Sequence, residues 1–181
     1  MSTGQMLLVL AALVTFSMVS MTINQSVITS TAASLETESI AMGKEIANSF
    51  VERACAKPFD AAVAWGQTVE SADDFTSCGA GGGESFTWDY EQEKYIDNYS
   101  DADDFHSLEN LPFFSERLGT FRISMDVYYV DPDNPDTKVG YNTNAKAVVA
   151  KVTSPFFNDN PDTGEPAVLT MSRVITYRFS N

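Results

Sequence analysis

No aspartate, glutamate, lysine or arginine occurs before Glu36, although the whole chain carries 25 acidic and 11 basic residues. Within that uncharged stretch, Met6 to Ile23 reads MLLVLAALVTFSMVSMTI, in which small hydroxyl residues are the only polar interruptions. Coiled into a helix at about 1.5 Å per residue, such a run extends about 27 Å. A bilayer hydrocarbon core is about 30 Å thick. A cleaved secretory signal shows a basic leading region and a small-residue cleavage site after a shorter apolar core. Neither is evident, so the segment is expected to be retained.

The apolar pattern continues with a change of character. Ile28, Ala32, Leu35, Met42, Ile46 and Phe50 recur at spacings of three, four or seven, interleaved with Glu36, Glu38, Lys44, Glu45 and Glu52. That spacing places one apolar stripe along a helix. No proline precedes Pro58, and Gly43 is the only glycine after Gly4 in this region, so one helix of about 50 residues is expected, ended by Pro58. Its first half needs lipid or neighbouring subunits. Its second half can lay Leu35, Met42, Ile46 and Phe50 on a folded domain.

The opening MSTGQMLLVLAALVTFSM resembles the mature N-terminus of type IV pilins and pseudopilins, with a short uncharged lead, a polar fifth residue, and about twenty apolar residues running into an amphipathic half. The resemblance covers about the first 55 residues. It implies an assembly segment that includes Met1, Gln5, Met6, Leu7, Val9, Leu10, Leu13 and Phe16. With Met1 as the first mature residue, Gln5 falls where the family usually carries a glutamate thought to neutralise a neighbouring subunit's terminal amine. Gln5 can accept a hydrogen bond but supplies no charge, so Ser2, Thr3 or a lowered amine pKa must compensate. A second register, with the cut after Gly4, makes Gln5 the first residue and Val9 the fifth, but it lacks a basic leader. The resemblance further implies copies of the same chain as partners in a helical homopolymer. It also implies inner-membrane lipid around the unassembled subunit, pilus assembly machinery, and a filament on the cell surface.

At 181 residues the chain suits one such helix, 1–57, and one head domain, 58–181. A formal net charge of −14 and pI near 4.2 oppose binding to nucleic acid or anionic lipid headgroups. Cys55 and Cys78 are the only cysteines, an even number in a chain that looks exported, so a disulfide is expected. The chain-entropy model gives such a bridge about 3 kcal/mol. Two reduced, buried thiols are the alternative. Two cysteines and one histidine fall short of a four-ligand zinc site.

Past Pro58 the chain turns polar, aromatic and turn-rich. A short helix is expected within Phe59–Val69, and the four glycines of Ser77–Ser85 form a loop. That loop lacks the lysine and the strand-to-helix frame of a phosphate cradle. Alternation points to strands at Phe86–Tyr90 and Phe121–Tyr129. A third lies at Ala145–Thr153, with its inward face undecided, and a fourth at Ala167–Phe179, with a phase change near Arg173 that reads as a bulge. The fold class is therefore α+β: a long N-terminal helix packed on an antiparallel meander of three to four strands. Pilins of this class show the same architecture.

Candidate chemistry is sparse, and no enzyme activity is expected. Three acidic loops offer oxygen ligands for calcium: Asp101, Asp103 and Asp104; Asp131, Asp133 and Asp136; and Asn158–Glu165 with Asp159 and Asp162. Solvated turns explain them as well, and Pro161 breaks the EF-hand spacing of the last. His106, the only histidine, lies in DADDFHSLEN without a second histidine or a nucleophile to serve, and reads as an exposed loop residue. Asn98-Tyr99-Ser100 and Asn24-Gln25-Ser26 match glycosylation sequons. The expected function is a structural subunit of a type IV pilus-like filament, serving adhesion, motility or attachment. A minor pseudopilin of a type II secretion system and a single-pass anchored receptor are the alternatives.

Overall fold

The computed structural model describes residues 2–78, 99–157 and 167–179. The fold is α+β. Helix α1 (Thr3–Cys55) and the short helix α2 (Ala61–Ala64) precede a four-stranded antiparallel sheet of β1 (Leu111–Ser115), β2 (Gly119–Tyr129), β3 (Ala145–Thr153) and β4 (Val168–Thr176), in the spatial order β1-β2-β3-β4. The chain divides into two compact units, Met1–Glu38 and Ser39–Asn181. Helix α1 ends at Cys55, and the second compact unit takes in its last turns, from Ser39.

Helix α1 closes with a tight turn in which Lys57 N–H donates to the Ala54 carbonyl at 3.2 Å. Pro58, whose ring disfavours helical backbone at the residue before it, stands directly after. In the second unit the buried face of α1 comprises Ser39, Gly43, Ile46, Ala47, Phe50, Val51 and Ala54. Ile46 and Phe50 are thus buried as the apolar stripe predicts, Met42 is half-buried, and Leu35 belongs to the first unit. Small residues supply the rest of the contact. A Cβ on Gly43 would stand 2.8 Å from Phe157 Cζ, and Ser39 Oγ lies 2.8 Å from Ser154 Oγ. The backbone of α1 lies too close to Phe157 for a larger side chain at 43.

Phe121, Ile123, Met125, Val127 and Tyr129 of β2 are buried in strict alternation. Opposite the last four stand Val152, Ala150, Val148 and Lys146 of β3. Strand β3 is buried on both faces from Ala145 to Ala150, which is why its sequence shows no simple alternation. Strand β4 pairs with β3 without interruption from Val168 to Thr176, so the expected bulge is absent. Arg173 breaks the alternation because it is an exposed side chain at an apolar position of the pattern, opposite Val148.

Strand β1 was not evident in the sequence. It carries Pro112, tolerated because β1 is an edge strand, and it turns into β2 through Gly119, whose φ of 71° is left-handed. Pairing with β1 covers β2 only as far as Ile123. Beyond it, Met125 N–H donates to the Leu108 carbonyl at 2.8 Å and Val127 N–H to His106 Nδ1 at 3.3 Å. The 3-10 turn Asp103–Ser107 thereby protects the rest of that edge. The expected strand at 86–90 lies outside the described residues, as do most of the glycine-rich loop and the loop 158–166.

Candidate functional site

Two features stand out, one in each unit. In the first, every residue from Ser2 to Val19 is exposed, and the large apolar side chains from Met6 to Ile28 point in all directions around the helix axis. Met6, Leu7, Val9, Leu10, Leu13 and Phe16 are all among them. This segment is long and apolar enough to cross a membrane, and none of it is buried within the chain. Three of its hydroxyls are internally satisfied: Thr15, Ser17 and Thr22 donate to the carbonyls of Ala11, Leu13 and Met18, each at 3.1 Å or less. Such back-bonding removes the cost of placing Ser and Thr in a water-free environment. Gln5 turns inward too, its Oε1 accepting from Ser2 N–H at 3.2 Å. Met1 lies outside the described residues.

In the second unit a lysine is buried inside the head. The side chain of Lys146 on β3 has 0 % exposure, as does that of Asp60, and that of Asp103 has 3 %. Lys146 Nζ donates to the Phe59 carbonyl at 2.8 Å, to Asp103 Oδ1 at 2.9 Å and to Asp60 Oδ2 at 3.2 Å. It also faces the rings of Phe59 and Tyr129, with centroids 4.7 and 4.8 Å away. These rings belong to an aromatic cluster with Phe75, Tyr177 and Phe179. An ammonium removed from water requires partners of this kind, because its desolvation otherwise costs several kcal/mol.

The two carboxylates differ in environment. Asp60 is the N-cap of α2 and accepts from Ala62 N–H, Thr76 N–H, Thr76 Oγ and Tyr129 Oη as well as from Lys146. Burial acts to raise its pKa, but the Ala62 amide, the Lys146 charge and the Thr76 amide outweigh it and hold the carboxyl below the usual range. Asp103 neighbours Asp101, itself buried. Burial, reinforced by the Asp103 and Asp104 charges and a hydrogen bond with Asp103, pushes Asp101 up to about 7. Burial foremost, and then the Asp60 charge, also raise the Tyr129 phenol. The cluster therefore combines one cation, one firmly ionised carboxylate in Asp60, and beside Asp103 the Asp101 carboxyl that burial holds protonated to about pH 7.

Sequence reasoning grouped Asp101, Asp103 and Asp104 as a calcium loop and did not single out Asp60 or Lys146. Asp101 and Asp103 instead face inward, and Asp104 folds back on the residues before its turn, accepting from Ser100 Oγ at 3.0 Å. Asp131 is likewise occupied locally, accepting from Asp133 N–H at 3.0 Å, while Asp133 and Asp136 are exposed. Asp159 and Asp162 lie outside the described residues. Among the described residues no three His, Cys, Asp or Glu side chains converge on a metal-sized site. His106 is half-buried against β2, with Nδ1 2.8 Å from Asp126 Oδ1, rather than free in a loop.

The disulfide expected between Cys55 and Cys78 is absent, and both are half-buried thiols. They occupy different surroundings. Cys55 ends α1 with Arg173 and Glu52 as its charged neighbours, whereas Cys78 packs on the aromatic cluster beside Lys146, Asp103 and Asp60. Burial raises both thiols, Cys78 to about 12. No protein-family model, curated protein or solved structure matches this chain.

Proposed function

We propose that the chain is a structural subunit of a type IV pilin-like filament, polymerising through the apolar first half of α1 and functioning in adhesion, motility or attachment. The observation that carries this reading is the continuous apolar surface of Met6–Ile28, exposed on every side of the helix. A helix apolar all round must be buried by something other than water, either lipid or other helices. Each large side chain so buried contributes about 1.5–3 kcal/mol, a sum that readily exceeds the entropic cost of association. The back-bonded hydroxyls fit a helix that moves from a bilayer into a helical bundle, since neither environment offers them water. Before assembly, the same segment would hold the subunit in the inner membrane, where the assembly machinery would extract it. In the filament the acidic head would remain in water.

The test is a charge in the apolar surface. Val9→Asp and Leu13→Asp are expected to leave the head folded, as read by near-ultraviolet circular dichroism, while fibres disappear from the sheared-cell fraction. Fibres in normal amounts would refute assembly through α1. A wild-type chain found only in membranes, with no fibres under any growth condition, would instead establish α1 as the anchor of a single-pass protein.

A further inference from the structure

We propose that Lys146 and Asp103 are joined by an intramolecular isopeptide bond, formed by the chain itself, that ties β3 to the turn Asp103–Ser107. Lysine Nζ and a carboxyl carbon condense to an amide only if the amine is unprotonated, the carboxyl is neutral, and the pair is held in contact away from water. The structure supplies the third condition. Nζ already sits 2.9 Å from Asp103 Oδ1, with both side chains removed from solvent. The aromatic faces of Phe59 and Tyr129 lower the polarity around Nζ. In such a medium an ammonium–carboxylate pair and a neutral amine–acid pair approach each other in energy, because burial disfavours the charged forms.

The two carboxyls on Lys146 are not equivalent, and the difference selects the acceptor. Asp60 is locked as an anion by donors from Ala62, Thr76 and Tyr129, which makes its carbon a poor electrophile. Asp103 instead lies beside Asp101, whose carboxyl holds its proton to about pH 7. The step balances within the cluster. The ammonium passes one proton to the Asp103 carboxylate, and the freed Nζ lone pair attacks Asp103 Cγ while Asp101 protonates the carbonyl oxygen. Nζ then passes a second proton to the departing hydroxyl, which leaves as water as the C–O bond breaks, and the protonated carbonyl oxygen gives its proton back. Asp101 regains its proton. The products are one amide and one water, with no oxidant, cofactor or nucleotide consumed. The fixed anion of Asp60 remains positioned to accept from the new amide N–H.

The reaction removes a cation and an anion from the interior together and replaces them with a neutral amide, which relieves the desolvation cost of the pair. This inference does not depend on the filament reading. For a subunit that bears tension, however, the cross-link would keep the head from being pulled open at the β3 edge of the site.

Mass spectrometry of the full chain tests it directly. The folded protein is expected to be lighter than its sequence by one water, and trypsin is expected to spare Lys146. The digest should then yield residues 139–151 joined to residues 95–117. A folded chain of full mass that is cleaved after Lys146 would overturn the proposal, and so would a water loss confined to one unlinked peptide. A link from 139–151 to 54–94 would place the bond on Asp60 and overturn the choice of acceptor. Asp101→Asn should give a folded chain of full mass. Unchanged linking in that variant would refute the role of Asp101 as proton donor, and the wild-type mass decides the bond even if the variant does not fold.

Discussion

The close contact at Gly43 sets two effects of similar size against each other, which makes it a sharp test of how α1 sits on the head. Replacing glycine by alanine within a helix gains about 1 kcal/mol of helix propensity. Against this, the new Cβ would stand 2.8 Å from Phe157 Cζ, so a buried ring must move. Overpacking of this kind costs about 1–3 kcal/mol. Gly43→Ala is therefore expected to lose up to about 2 kcal/mol, or about 6 °C at roughly 3 °C per kcal/mol for a unit of this size. The next neighbours, Phe157 Cε1 at 3.6 Å and Val152 Cγ1 at 3.8 Å, are in ordinary contact range. Shortening Phe157 to leucine removes the ring tip, so in a Phe157→Leu background the same Gly43→Ala change should become stabilising by about 1 kcal/mol, close to its intrinsic propensity. Thermal unfolding of the four chains, followed by near-ultraviolet circular dichroism of the aromatic cluster, measures this cycle. A higher midpoint for Gly43→Ala in the wild-type background, or an unchanged effect without the ring, would refute the close approach of α1 to Phe157.

Further outcomes follow from the interior of the head. Because the folded Asp101 carboxyl titrates near 7 instead of near 3.8, chiefly through burial, the folded state binds more protons than the unfolded state between those values. Its contribution to stability is therefore full below about pH 4 and lost as pH rises through 7. Melting midpoints should fall from pH 5 to pH 8, with a shallower slope in Asp101→Asn; an equal slope would contradict the assignment. The Cys78 thiol, raised to about 12 by burial, should resist alkylation by iodoacetamide at pH 7.5 until the chain is unfolded. Rapid native labelling would show the site to be open, and a thiol count of zero after unfolding would restore the disulfide. Likewise, reducing agent should leave the melting midpoint unchanged.

Much of the architecture was legible because it rests on long-range regularity along the chain. The apolar pattern with no proline before Pro58 allows one continuous helix, and the alternation from Phe121 to Tyr129 locates β2. Strand β1 escaped because Leu111-Pro112-Phe113-Phe114-Ser115 neither alternates nor buries its phenylalanines deeply; it owes its existence to hairpin pairing with β2. The packing stripe of α1 was only half visible. Hydrophobicity marks Ile46 and Phe50, whereas the closest contacts are made by Ser39 and Gly43, which no hydropathy pattern selects.

The buried lysine was hidden for a related reason. Lys146 and Lys151 lie on opposite faces of β3, one buried and the other exposed. Only partners brought from 43 and 86 residues away decide which is which. The local signal was Lys146 standing in phase with Val148, Ala150 and Val152, a cation in an apolar row that calls for a carboxylate. Asp101 and Asp103 looked like solvated loop residues because acidic clusters usually are.

The meander order of the sheet also bears on how the head comes together in time. Each strand pairs with its neighbour in the chain, so β1 to β4 can zip up through successive hairpins whose loop-closure cost is small. The contacts that dock α1 and its exit segment span far longer distances, 115 residues for Ser39 to Ser154 and 86 for Asp60 to Lys146. Docking is thus expected to be the late event, with Lys146 meeting its full set of carboxylates only on its completion. Bond formation at that site would then act as a one-way latch on a finished head, leaving partly folded chains unlocked and free to try again.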